Sequence, residues 1–219
     1  MNPAGQAIGG RNFFSALESA ASAEEAGERP FLGRLEALYA RMDRRYSEIA
    51  DQYGFHCRGC EESCCRTTFY HHTLVEYLFL RAGVRRMAKE RQTGFLHRSQ
   101  DVLANSKTGR ICPLNNEGLC LLYAYRPMIC RLHGIAHELR RPDGTVHRGP
   151  GCSVFHATVR GKPHIAFDRT GFYVALSSLE QDARKAFGVS KKIKMTISQM
   201  LEAMLDTQPP KGSPFHETD

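Results

Sequence analysis

The sequence has no long apolar run. A helix that crosses a lipid bilayer needs about 18 to 20 consecutive apolar residues. The longest apolar stretches here, residues 73–80 and 119–125, are much shorter, and the first contains Glu76. We therefore expect no membrane-spanning helix.

A secretory signal is also lacking, because the start of the sequence has neither a basic region nor a continuous apolar stretch. We therefore expect a cytoplasmic protein, in which thiols stay reduced. No internal repeat is present. No glycine-rich loop follows a clear strand either, so the sequence offers no recognisable adenosylmethionine site.

The composition is ordinary for a globular chain of one domain. The 219 residues are 42% hydrophobic and 24% charged, and a chain of this size buries an apolar core without staples. Residues 1–30 and 208–219 are expected to be flexible tails. We expect residues 31–207 to form a single, mostly helical α+β domain, with short hairpins and irregular loops around a cysteine-rich metal site.

Helical periodicity dominates this domain. Apolar residues recur at spacings of three, four and seven over residues 31–53, which predicts an amphipathic helix that ends at Gly54. Thr73 and Glu76 form a capping-box pattern, in which each side chain is expected to bond a backbone donor at a helix start. The same pattern recurs at Thr196. The predicted helices after the first cover residues 73–81, 85–105 and 170–187, and a last one begins at residue 196.

Two short hairpins are predicted between these helices. Two extended pieces around an Asn-Asn-Glu-Gly turn would bring Cys112 close to Cys120. Residues 135–148 contain a Pro-Asp-Gly turn between extended pieces, which is a strong hairpin signal. Between the two hairpins, Pro127 suits the first turn of a helix that would orient Cys130.

Eight cysteines carry the main functional signal. In a reducing compartment, close cysteine spacings indicate metal binding or catalysis more often than disulfides. We therefore predict a metal site that is made of two parts. The first part is Cys57, Cys60, Cys64 and Cys65, and the second is Cys112, Cys120 and Cys130, with Cys152 as the candidate eighth thiolate.

The spacing of the first four cysteines bears on the number of metal ions. Cys57 and Cys60 have the Cys-x2-Cys spacing, in which a backbone turn points two thiolates at one cation. Cys64 could add a third ligand, whereas the side chain of Cys65 is expected to diverge from that of its neighbour. The adjacent pair therefore favours two centres or a multinuclear cluster. Paired zinc sites and an iron–sulfur cluster both stay open at this point.

This pattern resembles that of the YkgJ-type cysteine-cluster proteins, a zinc- or iron-chelating family. The resemblance covers residues 57–131 and implies metal binding on the shared cysteines. A flagellin lysine methylase that carries an iron–sulfur cluster looks like a relative of this family, which favours iron. The shared residues are Cys57-x2-Cys60-x3-Cys64-Cys65, then Cys112-Pro113-Leu114 and Cys120, and finally Tyr123-x2-Arg126-Pro127-x2-Cys130-Arg131.

Charged residues near the cysteines have two interpretations. Arg126 and Arg131 flank Cys130 and would favour its thiolate form. Alternatively, they pair with Glu61 or Glu62.

The histidines and one cysteine also have alternative roles. His133 and the pair His71 and His72 could bind metal, although a local hydrogen bond for His133 and surface exposure for the pair are the more ordinary roles. Cys65, if it does not bind metal, could act as a nucleophile.

Three functions are compatible with the sequence. The first is an iron–sulfur or iron-binding protein with a redox or protein-modifying role towards an unknown protein partner or substrate. The second is a zinc-stabilised module that binds a protein or a nucleic acid. The third is an enzyme such as a protein-lysine methyltransferase. We favour the first.

The net charge of +7 bears on the nucleic-acid alternative. Basic residues concentrate at 81–91, 140–141 and 191–194, and such clusters suit phosphate groups. Aromatic residues do not alternate with them as in a base-stacking surface. A solvated basic surface is therefore favoured over a nucleic-acid site.

Overall fold

The chain folds into a mostly helical α+β structure with two small antiparallel hairpins, as predicted. The computed structural model describes residues 21–57, 64–104 and 111–205. None of the helices in these ranges combines the length and the apolarity that a bilayer span requires. The helices are α1 (Ala21–Tyr53), α2 (Leu74–Arg85), α3 (Lys89–Ala104), a short 3-10 helix (Tyr123–Tyr125), α4 (Met128–Arg131), α5 (Ser153–Val159), α6 (Thr170–Ala186) and α7 (Ile197–Leu205).

Helix α1 begins earlier than its periodicity predicts. The predicted start at Phe31 is wrong, because the helix begins at Ala21 and passes through Pro30. The reason lies in Glu28, which is 5% exposed and forms an ion pair with the buried Arg81 of α2. This contact fixes a segment whose composition is that of a tail. It also removes Arg81 from the basic surface on which the sequence analysis placed it.

Two apolar cores meet at α2. A helix that is apolar nearly all round is buried on all sides, and α2 packs into both cores. The first core joins α2 to α1, α5 and α6, and it includes Met42, Phe79, Phe155, Phe167 and Leu179. The second core joins the other side of α2 to α3 and α7, and it includes Leu74, Leu80, Phe95, Leu114 and Met200.

The remaining helix ends follow local signals in most cases. Helices α1 and α6 are followed by Gly54 and Gly188, whose φ angles of 63° and 65° are left-handed. Glycine adopts this conformation without strain at a helix C-terminus. At the start of α7, the backbone N–H groups of Thr196 and Gln199 each donate to the other residue's side chain, at 2.9 and 3.3 Å. Helix α2, however, continues past Gly83, its predicted stop.

Both predicted hairpins are present. Strands β1 (Asn115–Asn116) and β2 (Leu119–Cys120) pair across a turn in which Glu117 and Gly118 have positive φ angles. Strands β3 (His137–Arg140) and β4 (Val146–Gly149) pair farther along the chain. The first hairpin carries Cys120, one of the cysteines of the predicted metal site, at its end.

Candidate metal centre

Three separate segments bring five cysteines together. The backbone N–H of Cys112 donates to the carbonyl of Cys65 at 2.6 Å, which ties the first hairpin to the cysteine-rich segment. Burial raises the pKa of Cys130, on α4, and Cys112 and Cys120 lie close enough for their charges to raise it further. We call these side chains the five-cysteine group, which comprises Cys64, Cys65, Cys112, Cys120 and Cys130.

The adjacent cysteines point to the same side. The Sγ atoms of Cys64 and Cys65 are 3.9 Å apart, so the prediction that these side chains diverge is wrong. The reason is that residues 64–66 form a turn instead of an extended strand. In a tetrahedral site with Zn–S bonds of about 2.3 Å, two thiolates lie about 3.8 Å apart. The pair therefore does not by itself require two metal centres.

Burial raises the pKa of most thiols in this group, whereas hydrogen bonds and the charge of Arg126 lower that of Cys65. Burial raises the pKa of Cys112 to about 12, and it also raises the pKa of Cys120 and Cys130. The pKa of Cys65 falls to about 6, because Cys64 and the Asn115 amide stabilise its thiolate and other charges assist them. Cys65 therefore ionises more readily than Cys112, Cys120 or Cys130.

Asn115 provides a test of whether the site suits thiolates. Its Oδ1 accepts a hydrogen bond from the N–H of Gly118 at 3.1 Å, so its Nδ2 faces the other way. That buried Nδ2 has no hydrogen-bond partner of normal length, yet it lies close enough to Cys65 to favour the thiolate. A buried donor against a sulfur atom fits a site built for charged thiolates, with or without metal.

The capping box predicted at the start of α2 is wrong in its contacts. The Thr73 hydroxyl donates to Oε2 of Glu76 at 2.7 Å and caps no backbone N–H group. Glu76 turns into the interior, where Oε1 accepts from the Tyr39 hydroxyl at 3.0 Å and from the N–H of Met128 at 2.7 Å. The buried donors of Tyr39 and Met128 hold this carboxylate in the interior and offset its desolvation.

Buried charges of opposite sign hold the two ends of α4, the helix that carries Cys130. The Glu76 carboxylate accepts the Met128 N–H at the N-terminal end. The guanidinium of Arg169, which is 2% exposed, donates to the Leu132 carbonyl at the C-terminal end. A negative charge at the N-terminus and a positive charge at the C-terminus both interact favourably with the helix dipole and stabilise the helix. No sequence motif marks Arg169. Glu76 matches a capping pattern, so the sequence does not indicate its contact with α4.

The two arginines beside Cys130 have different surroundings. Arg131 is buried and pairs with Asp43 at 2.6 Å, so an acid of α1 neutralises it. Glu61 and Glu62, the predicted partners, lie outside the described residues. Arg126 is half-buried. Burial raises the pKa of Cys120 and Cys130 overall, and the charge of Arg126 opposes this effect without reversing it.

The other cysteines have different surroundings. Cys152 belongs to the first core and its Sγ accepts a hydrogen bond from the N–H of Phe155 at 3.3 Å, whereas Cys112 packs against the second core. Cys57 is exposed. Burial raises the pKa of Tyr46, and the charges of Cys57 and Cys152 raise it further. Cys60 lies outside the described residues. Metal binding by Cys57, Cys60 and Cys152 stays a prediction, and the place of Cys152 in the first core favours a structural role for it.

Burial determines the surroundings of His71 and His133, two of the histidines that were considered as metal ligands. His71, which was expected to lie on the surface, is 2% exposed, and its backbone bridges that of Met195. Burial lowers the pKa of His71 and of His133, which favours their neutral forms. The ring of His133 lies against that of Phe69, with 5.5 Å between centroids.

Across residues 21–57, 64–104 and 111–205, no three His, Cys, Asp or Glu side chains are arranged so that they could hold a metal ion. The chemistry of the five-cysteine group fits a thiolate-bound metal, but the described part of the chain does not present a closed set of ligands.

Comparison with known proteins adds no relative. No family model matches the chain, and neither a curated protein nor a solved structure is significantly similar to it. The resemblance to the YkgJ-type family therefore stays a prediction that rests on the residues that carry it.

Proposed function

We propose that this protein binds iron, or an iron–sulfur cluster, on its clustered cysteines and has a redox or protein-modifying role. The observation that supports the proposal is the convergence of five cysteines from three segments of the chain. Cys65, Cys112, Cys120 and Cys130 would hold the metal, with Cys64 beside them. An iron–sulfur cluster, when bound, supplies one-electron redox chemistry.

The surroundings of the group support a site for charged sulfur. Several thiolates in one place need positive charge and hydrogen-bond donors to offset their desolvation. Arg126 supplies the charge, and the buried amide of Asn115 supplies a donor. Cys112 and Cys130 are partly buried, which limits their contact with water, and solvent exposure is one of the factors that tune the potential of a bound cluster.

A zinc-stabilised binding module for a protein or nucleic-acid partner is the second candidate. The observation that favours it is the distance of 3.9 Å between the Sγ atoms of Cys64 and Cys65. That separation matches two ligands of one tetrahedral ion, for which about 3.8 Å is expected. A mononuclear iron site would fit the same distance.

Anaerobic purification followed by iron, zinc and sulfide analysis and a visible spectrum tests the proposal. Iron with a visible absorption band supports it, and acid-labile sulfide assigns a cluster. A colourless protein that contains zinc, and neither iron nor sulfide, overturns it in favour of the second candidate. A protein without metal overturns both.

A pair of cysteine variants locates the site. Cys112→Ser should lose the metal, because Cys112 belongs to the five-cysteine group. Cys152→Ser is the matched control, since its sulfur lies in the first core. The free energy of unfolding of both variants in the metal-free state separates loss of a ligand from loss of the fold.

A further inference from the structure

A cleft lies beside the loop that carries Arg126. Its volume is about 360 Å³, which falls in the range of about 300 to 1,000 Å³ found for small-molecule sites. The walls come from the second half of α1, the segment after it, the 3-10 helix and the end of α4. Its lining includes Tyr46, Asp51, Cys57, Tyr123, Arg126 and His133.

Most charged side chains on the cleft wall already lie beside a partner with which they can form an ion pair. The carboxylate of Asp43 pairs with Arg131 at 2.6 Å. Asp51 lies 3.7 Å from the imidazole of His56. Within the described chain, the guanidinium of Arg126 has no carboxylate partner, and only its Nε donates a hydrogen bond, to the carbonyl of Tyr123 at 3.0 Å. The two terminal nitrogens of this half-buried side chain therefore remain available as donors.

The position of Arg126 is fixed from both sides. Its guanidinium stacks on the ring of Tyr123, with 3.5 Å from Cζ to the ring centroid. Its carbonyl accepts a hydrogen bond from Arg131 at 2.8 Å, and Arg131 also donates to the carbonyl of Ala124. A guanidinium that is held in this way loses little conformational entropy when it binds a planar or tetrahedral anion through both terminal nitrogens.

We propose that this cleft binds a small anionic molecule whose carboxylate or phosphate group pairs with the terminal nitrogens of Arg126. Paired N–H···O bonds of this kind are stronger than neutral hydrogen bonds and select for oxyanions over chloride. The aromatic rings of Tyr46 and Phe55 provide apolar wall for the rest of the molecule. Anion binding at this site does not require the metal, although the charge of Arg126 also opposes the rise in the pKa of Cys120 that burial causes.

Titrations followed by two-dimensional ¹H–¹⁵N NMR test this proposal, with inorganic phosphate and with benzoate as probes at constant ionic strength. We expect saturable shifts of the Tyr123 and Arg126 signals, with the tighter probe identifying the anion class. Arg126→Lys keeps the charge but loses the planar fork, so its affinity should fall at least tenfold. Arg148→Lys, at a 70% exposed position on β4, is the matched control and should bind like the wild type.

Two results overturn the proposal. The first is a set of shifts that do not saturate or that spread over exposed basic residues. The second is an affinity that Arg126→Lys leaves unchanged. Metal content is measured in each sample, and the titration is repeated on wild-type protein stripped with a chelator. Binding that survives stripping supports the cleft whether or not the metal proposal holds, whereas binding that vanishes with the metal shows that the metal is the anion site.

Discussion

Glu76→Gln tests whether a buried carboxylate positions the helix that carries Cys130. The wild-type side chain is 5% exposed and accepts hydrogen bonds from Tyr39, Thr73 and Met128. Hydrogen bonds to a charged group contribute about 1.5–3 kcal/mol each, and neutral ones about 0.5–1.5 kcal/mol. The glutamine oxygen can still accept from Tyr39 and Met128, and its NH2 group can donate to the Thr73 hydroxyl, which reverses that one bond. Loss of the charge should therefore lower the free energy of unfolding by about 3 kcal/mol in total.

Thermal and urea unfolding of the metal-free protein measure this loss. For a chain of this size, about 3 kcal/mol corresponds to a fall in the melting temperature of about 6 to 12 °C. The second measurement is the rate at which metal is lost to a chelator. It should rise in Glu76→Gln, because the N-terminal end of α4 is held less firmly.

Glu180→Gln is the matched control for this experiment. Glu180 is 7% exposed and accepts a hydrogen bond from the N–H of Val75 at 3.1 Å, and its partners in the described chain lie on α2 and α6. Burial raises the pKa of Glu180, so the folded protein disfavours its charged form, and Glu180→Gln should keep the free energy of unfolding at or above that of the wild type without changing the rate of metal loss. The reasoning is refuted if Glu76→Gln unfolds like the wild type, or if both variants release metal equally fast.

Three further predictions concern single residues. Cys152→Ser should keep both metal and stability in elemental analysis and urea unfolding, because serine can replace its sulfur as acceptor at the start of α5; loss of metal would make Cys152 a ligand. Gly134→Ala should lower the free energy of unfolding by about 1–3 kcal/mol more than Gly144→Ala. Both glycines have positive φ angles, but only the methyl group added at Gly134 would meet a side chain, at the Tyr46 hydroxyl. Burial and a nearby guanidinium lower the pKa of His137 from 6.5 to about 4, so the unfolded state binds more protons between these values. Stability should therefore fall as pH drops below 6.5, and His137→Gln should flatten that slope in urea titrations; an unchanged slope would contradict it.

Local signals in the sequence predict much of the fold. The capping box at Thr196 and the glycine after α1 act over a few residues, and both behave as predicted. The two hairpins likewise follow from turn residues that are adjacent in the chain. Such features depend on backbone preferences that are largely independent of the rest of the structure.

The errors concern residues whose partners lie far away in the chain. Glu76 matches a local capping pattern, but its side chain accepts hydrogen bonds from buried donors on α1 and α4 instead. Glu28 looks like part of a tail because its partner, Arg81, is 53 residues away. The Cys64 and Cys65 side chains depend on a turn that neither residue type specifies. Periodicity and spacing carry no information about such long-range polar contacts.

The charges at the ends of α4 also bear on the metal-free state. Glu76 and Arg169 belong to the buried interior, so their hold on this helix does not depend on an ion. Removal of a bound metal should therefore leave Cys130 near its final position. An ion that binds again would then meet this thiol already in place.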